Sequence, residues 1–196
     1  YDYDQDDVNQ ALFERTEYVY HPSRPSLIQS LVQYHFDGSE TKITYKYPFD
    51  YSGAFSGSPD YRVKAIASLI NRNVLAIPLE TIKYFRSNDT EQFRVIGGQL
   101  TTYKLYNHNS LKKPLPYQTF ELRLENSAEH ITESYIIPGI AFVQDNRYKL
   151  VETYSFDPAT ENLLSVTDES GLVQNYTYNS SNYPISSTLN LAGNSF

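Results

Sequence analysis

Phe120-Glu121-Leu122-Arg123-Leu124-Glu125 alternates apolar and charged residues without interruption. Successive side chains of an extended chain point to opposite faces, so Phe120, Leu122 and Leu124 share a core face and the charges meet water. That is the pattern of a half-buried antiparallel strand. The same period runs through Leu27 to Phe36, Lys42 to Tyr47, Leu75 to Phe85, Phe93 to Tyr106, Tyr148 to Phe156, Leu163 to Thr167 and Leu172 to Tyr178. Turn residues such as Asp37-Gly38, Ser87-Asn88-Asp89 and Ser170-Gly171 separate these stretches. The succession predicts a mainly β chain, an antiparallel sheet of stacked hairpins.

One segment departs from the alternation. Val63, Ile66, Ala67 and Ile70 stand at i, i+3, i+4 and i+7, with Pro59-Asp60 before them and Asn71-Arg72-Asn73 after. This predicts one amphipathic helix whose apolar face covers the sheet. Pro48, Pro59, Pro78, Pro114, Pro116, Pro138 and Pro184 imply edges, bulges or strand ends. Lys112-Lys113-Pro114-Leu115-Pro116 reads as a loop, too short for an interdomain linker, so residues 1–196 are expected to be a single β-rich module.

Composition narrows the partners. The 196 residues carry 16 Lys+Arg against 23 Asp+Glu, a formal charge of −7, with no cationic cluster. Neither a nucleic acid nor an anionic membrane surface is the expected partner of such a chain. Cys, Met and Trp are absent, which excludes a disulfide framework, a thiolate nucleophile and cysteine-ligated metal. No apolar run reaches the roughly 20 residues of a membrane-spanning helix. A chain that opens at Tyr1-Asp2-Tyr3-Asp4 is expected to be a fragment or a processed product.

The chain also repeats itself. Asp37 is followed at plus eight and plus ten by Tyr45 and Tyr47, and Asp168 by Tyr176 and Tyr178 at the same distances. Tyr34-His35-Phe36-Asp37 matches Tyr154-Ser155-Phe156-Asp157, and Tyr18-Val19-Tyr20 looks like the end of an earlier copy. Each Tyr-x-Tyr places two rings on one face of a strand, where they can stack on the next hairpin. The best unit is Phe156-Asp157, Asn162-Leu163, Asp168-Glu169-Ser170-Gly171 and Tyr176-Thr177-Tyr178-Asn179. It resembles the RHS or YD repeat of large bacterial secreted and cell-surface proteins. The match is good over about 150–184 and fair over 17–50, with a helix-containing, non-repeat insert over about 51–147. Asn179 stands where that family's next Asp is expected, and the Gly before Leu163 is missing. The resemblance implies a scaffold of stacked hairpins, secreted or displayed on a bacterial surface, whose partners are other repeats of the parent chain and a surface glycan or protein.

No residue pattern asks for catalysis. His21, His35, His108 and His130 show no metal spacing, and Gly53-Ala54-Phe55-Ser56-Gly57-Ser58 lacks the Gly-x-Ser-x-Gly elbow of a serine nucleophile. Gly97-Gly98 fits a bulge or hairpin turn better than a phosphate cradle. Asp2, Asp4 and Asp6 alternate like calcium ligands, but Asp7 replaces the turn glycine and Phe13 the closing Glu. Glu121, Glu125 and Glu129 read as a polar strand face and the loop after it, and Asn88, Asn175 and Asn179, which head Asn-x-Ser/Thr triplets, as polar turns or strand edges. The expectation is therefore a non-catalytic module with no cofactor, no metal and no catalytic residue. The alternative is a carbohydrate-binding or adhesion module using some of its 19 tyrosines. A hydrolase assembled from acids with His130 or His108 is a third reading.

Overall fold

The structure, a computed structural model, describes residues 14–51, 55, 57–108, 111–125 and 130–191. Its elements are β1 (Arg15–His21), β2 (Arg24–Tyr34), β3 (Glu40–Lys46), α1 (Tyr61–Asn71), β4 (Glu80–Arg86), β5 (Arg94–His108), β6 (Leu111–Leu122), β7 (Tyr135–Ile137), β8 (Ala141–Val143), β9 (Tyr148–Phe156), β10 (Leu163–Asp168), β11 (Leu172–Tyr178) and β12 (Pro184–Leu191). Ten of the strands form one sheet in the order β1-β2-β3-β4-β5-β6-β9-β10-β11-β12, while β7 and β8 pair separately. Every pairing is antiparallel. The fold is thus mainly β, an up-and-down meander of hairpins carrying a single α-helix among the described residues, as the alternation predicts.

The loop expected at Lys112 to Pro116 is instead the first half of β6, with Pro114 opposite Leu105 and Pro116 opposite Tyr103. Prolines two residues apart lose their N–H groups on the same side of a strand. The pairing of β6 with β9 begins only at Gln118, so over 111–117 the side of β6 away from β5 has no strand to serve. The prolines are tolerated because this half of the strand is an edge.

The helix forms where its spacing places it, and Asp60 caps it by accepting from Arg62 N at 2.8 Å. Asn73, with φ of 57°, closes the other end, where Val74 N reaches Leu69 O at 2.9 Å. The buried face is Val63, Ala65, Ile66 and Leu69, with Ala67 and Ile70 only half-buried. It is turned from the predicted stripe because the β7–β8 hairpin covers that flank. Arg62 Nη2 donates to Phe142 O at 3.0 Å, and its guanidinium lies 5.0 Å from the Phe142 ring centroid.

The helix, β4, β5 and the start of β9 bury Val63, Ile66, Leu69, Ile82, Leu100 and Tyr148 together, and Phe142 closes the cluster from β8. All of its fully buried members fall between Tyr51 and Tyr148, the stretch read as the insert. The repeat-like hairpins on either side are a single layer of sheet.

Those hairpins share a construction that explains the repeat. Asp37 Oδ1 accepts from Ser39 N, Asp157 Oδ1 from Ala159 N, and Asp168 Oδ1 from Ser170 N and Leu172 N, all at 2.7–2.9 Å. Each Asp opens a turn by holding the backbone that follows it. Asn179 Oδ1 accepts from Ser181 N and Tyr183 N at 2.9 and 3.0 Å, so the amide does the work of the missing Asp. In the Tyr45/Tyr47 and Tyr176/Tyr178 pairs the second tyrosine clips its strand to the one before: Tyr47 OH donates to Ile28 O at 2.8 Å and Tyr178 OH to Leu163 O at 2.9 Å.

The missing glycine has a structural cost. Glu161, two residues before Leu163, has φ of 62°, the left-handed region that favours Gly. Its carboxylate pairs with Lys113, with both side chains partly exposed, which contributes little. Glu161→Gly is expected to stabilise the chain by about 0.5–1 kcal/mol in urea titration. A loss of stability would mean that the Lys113 pair, rather than the backbone, governs this turn.

Candidate functional site

Glu80, Ile82 and Tyr84 share one face of β4, and Ile82 lies in the core beneath the helix. A glutamate at such an inward slot must find donors or leave its charge uncompensated. Glu80 is 1% exposed. Its Oε2 accepts from Ser134 Oγ at 2.6 Å and Ser134 N at 3.0 Å, and its Oε1 accepts from Tyr148 OH at 2.9 Å. Ser134 Oγ lies 2.7 Å from Tyr51 OH. With the one serine proton given to Glu80, Tyr51 is the donor in that bond. Lys46 Nζ donates to Ser134 O at 2.6 Å and Glu133 Oε2 at 3.3 Å, and sits 5.1 Å from the Tyr51 ring centroid.

Burial is the largest influence on all three titratable members. It pushes the Glu80 carboxyl above its ordinary value against the hydroxyl and amide bonds that oppose it. It raises the Tyr51 and Tyr148 hydroxyls well above theirs, and the Glu80 charge raises them further. The Tyr148 hydroxyl reaches Glu80 over Gly98. A methyl group on Gly98 would lie 2.8 Å from Thr81 O and 3.2 Å from Tyr148 OH.

Chemically the cluster is closed. Ser134 is completely buried and its proton is committed, so it is no nucleophile. What the arrangement does is brace: β4, β9 and the segment leading into β7 meet on one carboxylate, and β3 joins them through Lys46 on Ser134 O. Beside it a polar pocket of about 510 Å³ opens between the first hairpins and the brace, lined by Lys42, Lys46, Asp50, Glu80 and Glu133 among others. On the opposite sheet face lies a trough of about 730 Å³ with Lys83, Gln99, Glu121, Arg123 and Glu152 in its walls. Much of its charge is internally paired, Arg123 Nη2 lying 2.5 Å from Glu169 and Nε 3.7 Å from Glu121.

His21 and His35 each have a different partner. His21 Nε2 is 2.8 Å from Asp50 Oδ1, and His35 Nε2 is 2.9 Å from Thr41 Oγ1. His130 is exposed in the stretch before β7, and His108 ends β5. No group of three or more His, Asp or Glu able to hold a metal ion occurs among the described residues. Gly97 and Gly98 flank a β-bulge, since Lys83 pairs with Gly97 and Tyr84 with Val95, skipping Ile96. Asn88 and Asn179 sit in turns and Asn175 within β11. Glu121 and Glu125 are exposed, while Ser56, Glu129 and Asp2, Asp4 and Asp6 lie outside the described residues. Among the tyrosines, Tyr18, Tyr20, Tyr61, Tyr135 and Tyr183 are exposed and come from both ends and the middle of the chain. Sequence reasoning misses the Glu80 brace. Its one sequence signal is a glutamate in phase with Ile82 and Tyr84.

Asp145 supports the same segment from outside, accepting from Thr132 N at 3.0 Å and Arg147 Nε at 2.8 Å. Its carboxyl is held well below the ordinary range, first by the Arg147 side chain and then, against burial, by backbone N–H groups. A depressed folded-state value stabilises above the unfolded pKa of about 3.9 and is lost as pH falls below it. Asp145→Asn is therefore expected to flatten the acid limb of the stability profile, measured as urea midpoints across acidic pH. An unchanged limb would assign acid sensitivity to other carboxylates.

No helix among the described residues is long and apolar enough to cross a membrane. No protein-family model matches the chain, and no curated protein matches it significantly.

Proposed function

We propose that the chain is a non-catalytic structural module of a larger secreted or surface-exposed bacterial protein built from RHS/YD-repeat-like hairpins, working through cell-surface contact. Its partners are the neighbouring repeats of the parent chain. The observation that carries this reading is the repeated hairpin clip, an Asp turn followed by a tyrosine hydroxyl donated to the preceding strand, found after Asp37 on one side of the helix-bearing core and after Asp168 on the other. The last strand adds to it. Pro184 to Asn190 are all exposed, and the edge they form carries no charge. A free edge strand is normally blunted with lysine or another charge, so an uncharged one suits a strand that pairs onward. The closed Glu80 brace favours a scaffold over a reaction site.

Sequencing the source gene on both sides of the codons for residues 1 and 196 tests the reading. Further Asp-(x)7-Tyr-x-Tyr copies, with a signal or lipid-anchor sequence upstream, are the expected result. Flanks holding neither would overturn it.

A further inference from the structure

The registers of the last four strands place an unusual surface on the helix side of the sheet. Thr153, Thr167, Val173 and Asn190 lie side by side across β9, β10, β11 and β12. The next row on the same face is Ser155, Ser165, Asn175 and Thr188, and Thr177 and Ser186 begin a third. Nine of these ten positions are small, uncharged hydrogen-bonding residues. Sheet geometry sets them about 4.8 Å apart between strands and about 6.7 Å apart along each strand, over a width of about 14 Å. Only Thr177 Oγ1 and Ser186 Oγ bond each other, at 2.6 Å; no other side chain of the array bonds a described residue.

A merely solvated strand face would be expected to carry lysine and glutamate. The same face at the other end of the sheet does: Arg15 and Glu17 on β1, and Glu40, Lys42 and Lys46 on β3. From Ser170 to Phe196 the chain contains no Asp, Glu, Lys, Arg or His at all. The array therefore has nothing to offer a charged partner and many groups that both donate and accept.

From this the geometry points to a docking face for a neutral polysaccharide on β9–β12, a chain whose own uncharged hydroxyls match the array row by row. Binding sums many weak hydrogen bonds and is independent of salt. This site is separate from the exposed tyrosines, and it stands whether or not further hairpins extend β12.

The test is retention of the full chain on insoluble cellulose and chitin at low and high salt, with soluble polygalacturonate as the charged control, and amide NMR with a β-1,4-glucose hexasaccharide. Salt-independent retention is expected on at least one of the two, with none on polygalacturonate. Shifts are expected at Ser165, Thr167, Asn175 and Thr188 and not at Val166 and Gln174, which face the other way. The double change Ser165→Glu with Asn175→Glu should weaken binding at least about tenfold, as losing two or three neutral hydrogen bonds would. Tyr61→Ala and Tyr183→Ala should not. Should the glutamates unfold the sheet, the wild-type shift map decides alone. No retention of the wild-type chain, undiminished binding by a folded double variant, or shifts confined to Val166, Gln174 and the other positions of the opposite face would overturn the assignment.

Discussion

Glu80→Ala is expected to lower the unfolding free energy by about 3–4 kcal/mol, the cost of leaving several buried donors without an acceptor. Ser134 N, Ser134 Oγ and Tyr148 OH all converge on the carboxylate. Removing it strands three groups at once and frees the segment that enters β7. Glu80→Gln keeps the shape but turns an amide N–H₂ toward donors, so an intermediate loss of about 1–2 kcal/mol is expected. The pH dependence separates the two effects. Because burial raises the Glu80 pKa above its unfolded value, its folded state binds a proton more readily. Stability from this group is thus greatest below the unfolded pKa and declines as pH rises through the folded one. Glu80→Gln should abolish that decline. Equal melting of wild type and Glu80→Ala would remove the brace from this account.

Gly98→Ala should cost about 2–3 kcal/mol, in the range of strain produced by inserting atoms into a filled site. The added methyl would sit 2.8 Å from the Thr81 carbonyl oxygen, part of a paired strand that cannot retreat without breaking the β4–β5 ladder. It would also press on Tyr148 OH, displacing it from Glu80. Gly97→Ala is the internal control. A methyl there meets nothing within 4 Å and its φ is not left-handed, so its effect should stay within about 0.5 kcal/mol. Urea midpoints of the two variants decide the matter. If both are neutral, the Tyr148 hydroxyl is not held where the geometry has it.

The strands were legible because burying one face of a sheet writes a period of two into the sequence. Phe120 to Leu122, Leu163 to Thr167 and Leu172 to Tyr178 all pair within the meander. The Asp and Tyr-x-Tyr spacing was legible because a turn and the strand it feeds recur with fixed length. What that spacing does not reveal is which group makes the bond, so Asn179 looks like a departure while serving as Asp168 does. The two prolines of β6 were misread for a different reason. Whether a missing N–H matters depends on where β9 begins to pair, which no local pattern encodes. The helix stripe was turned by a hairpin whose contact with Arg62 spans 80 residues, and the Glu80 brace depends on partners up to 68 residues away. Such partners are invisible to periodicity. The pair Tyr176 and Tyr178, whose spacing puts two rings on one strand face, is only half-buried in a single-layer sheet.

Hydrogen exchange followed by mass spectrometry, on the 196-residue chain and on the polypeptide as isolated from its source, tests the scaffold claim most directly. In the 196-residue chain slow exchange is expected in α1, β4, β5 and β6 around the buried core, and fast exchange along β12. In the source polypeptide β12 should become protected, because the next hairpin pairs with it. Equal, rapid exchange of β12 in both would leave the sheet ending where β12 ends and rule out onward stacking of hairpins.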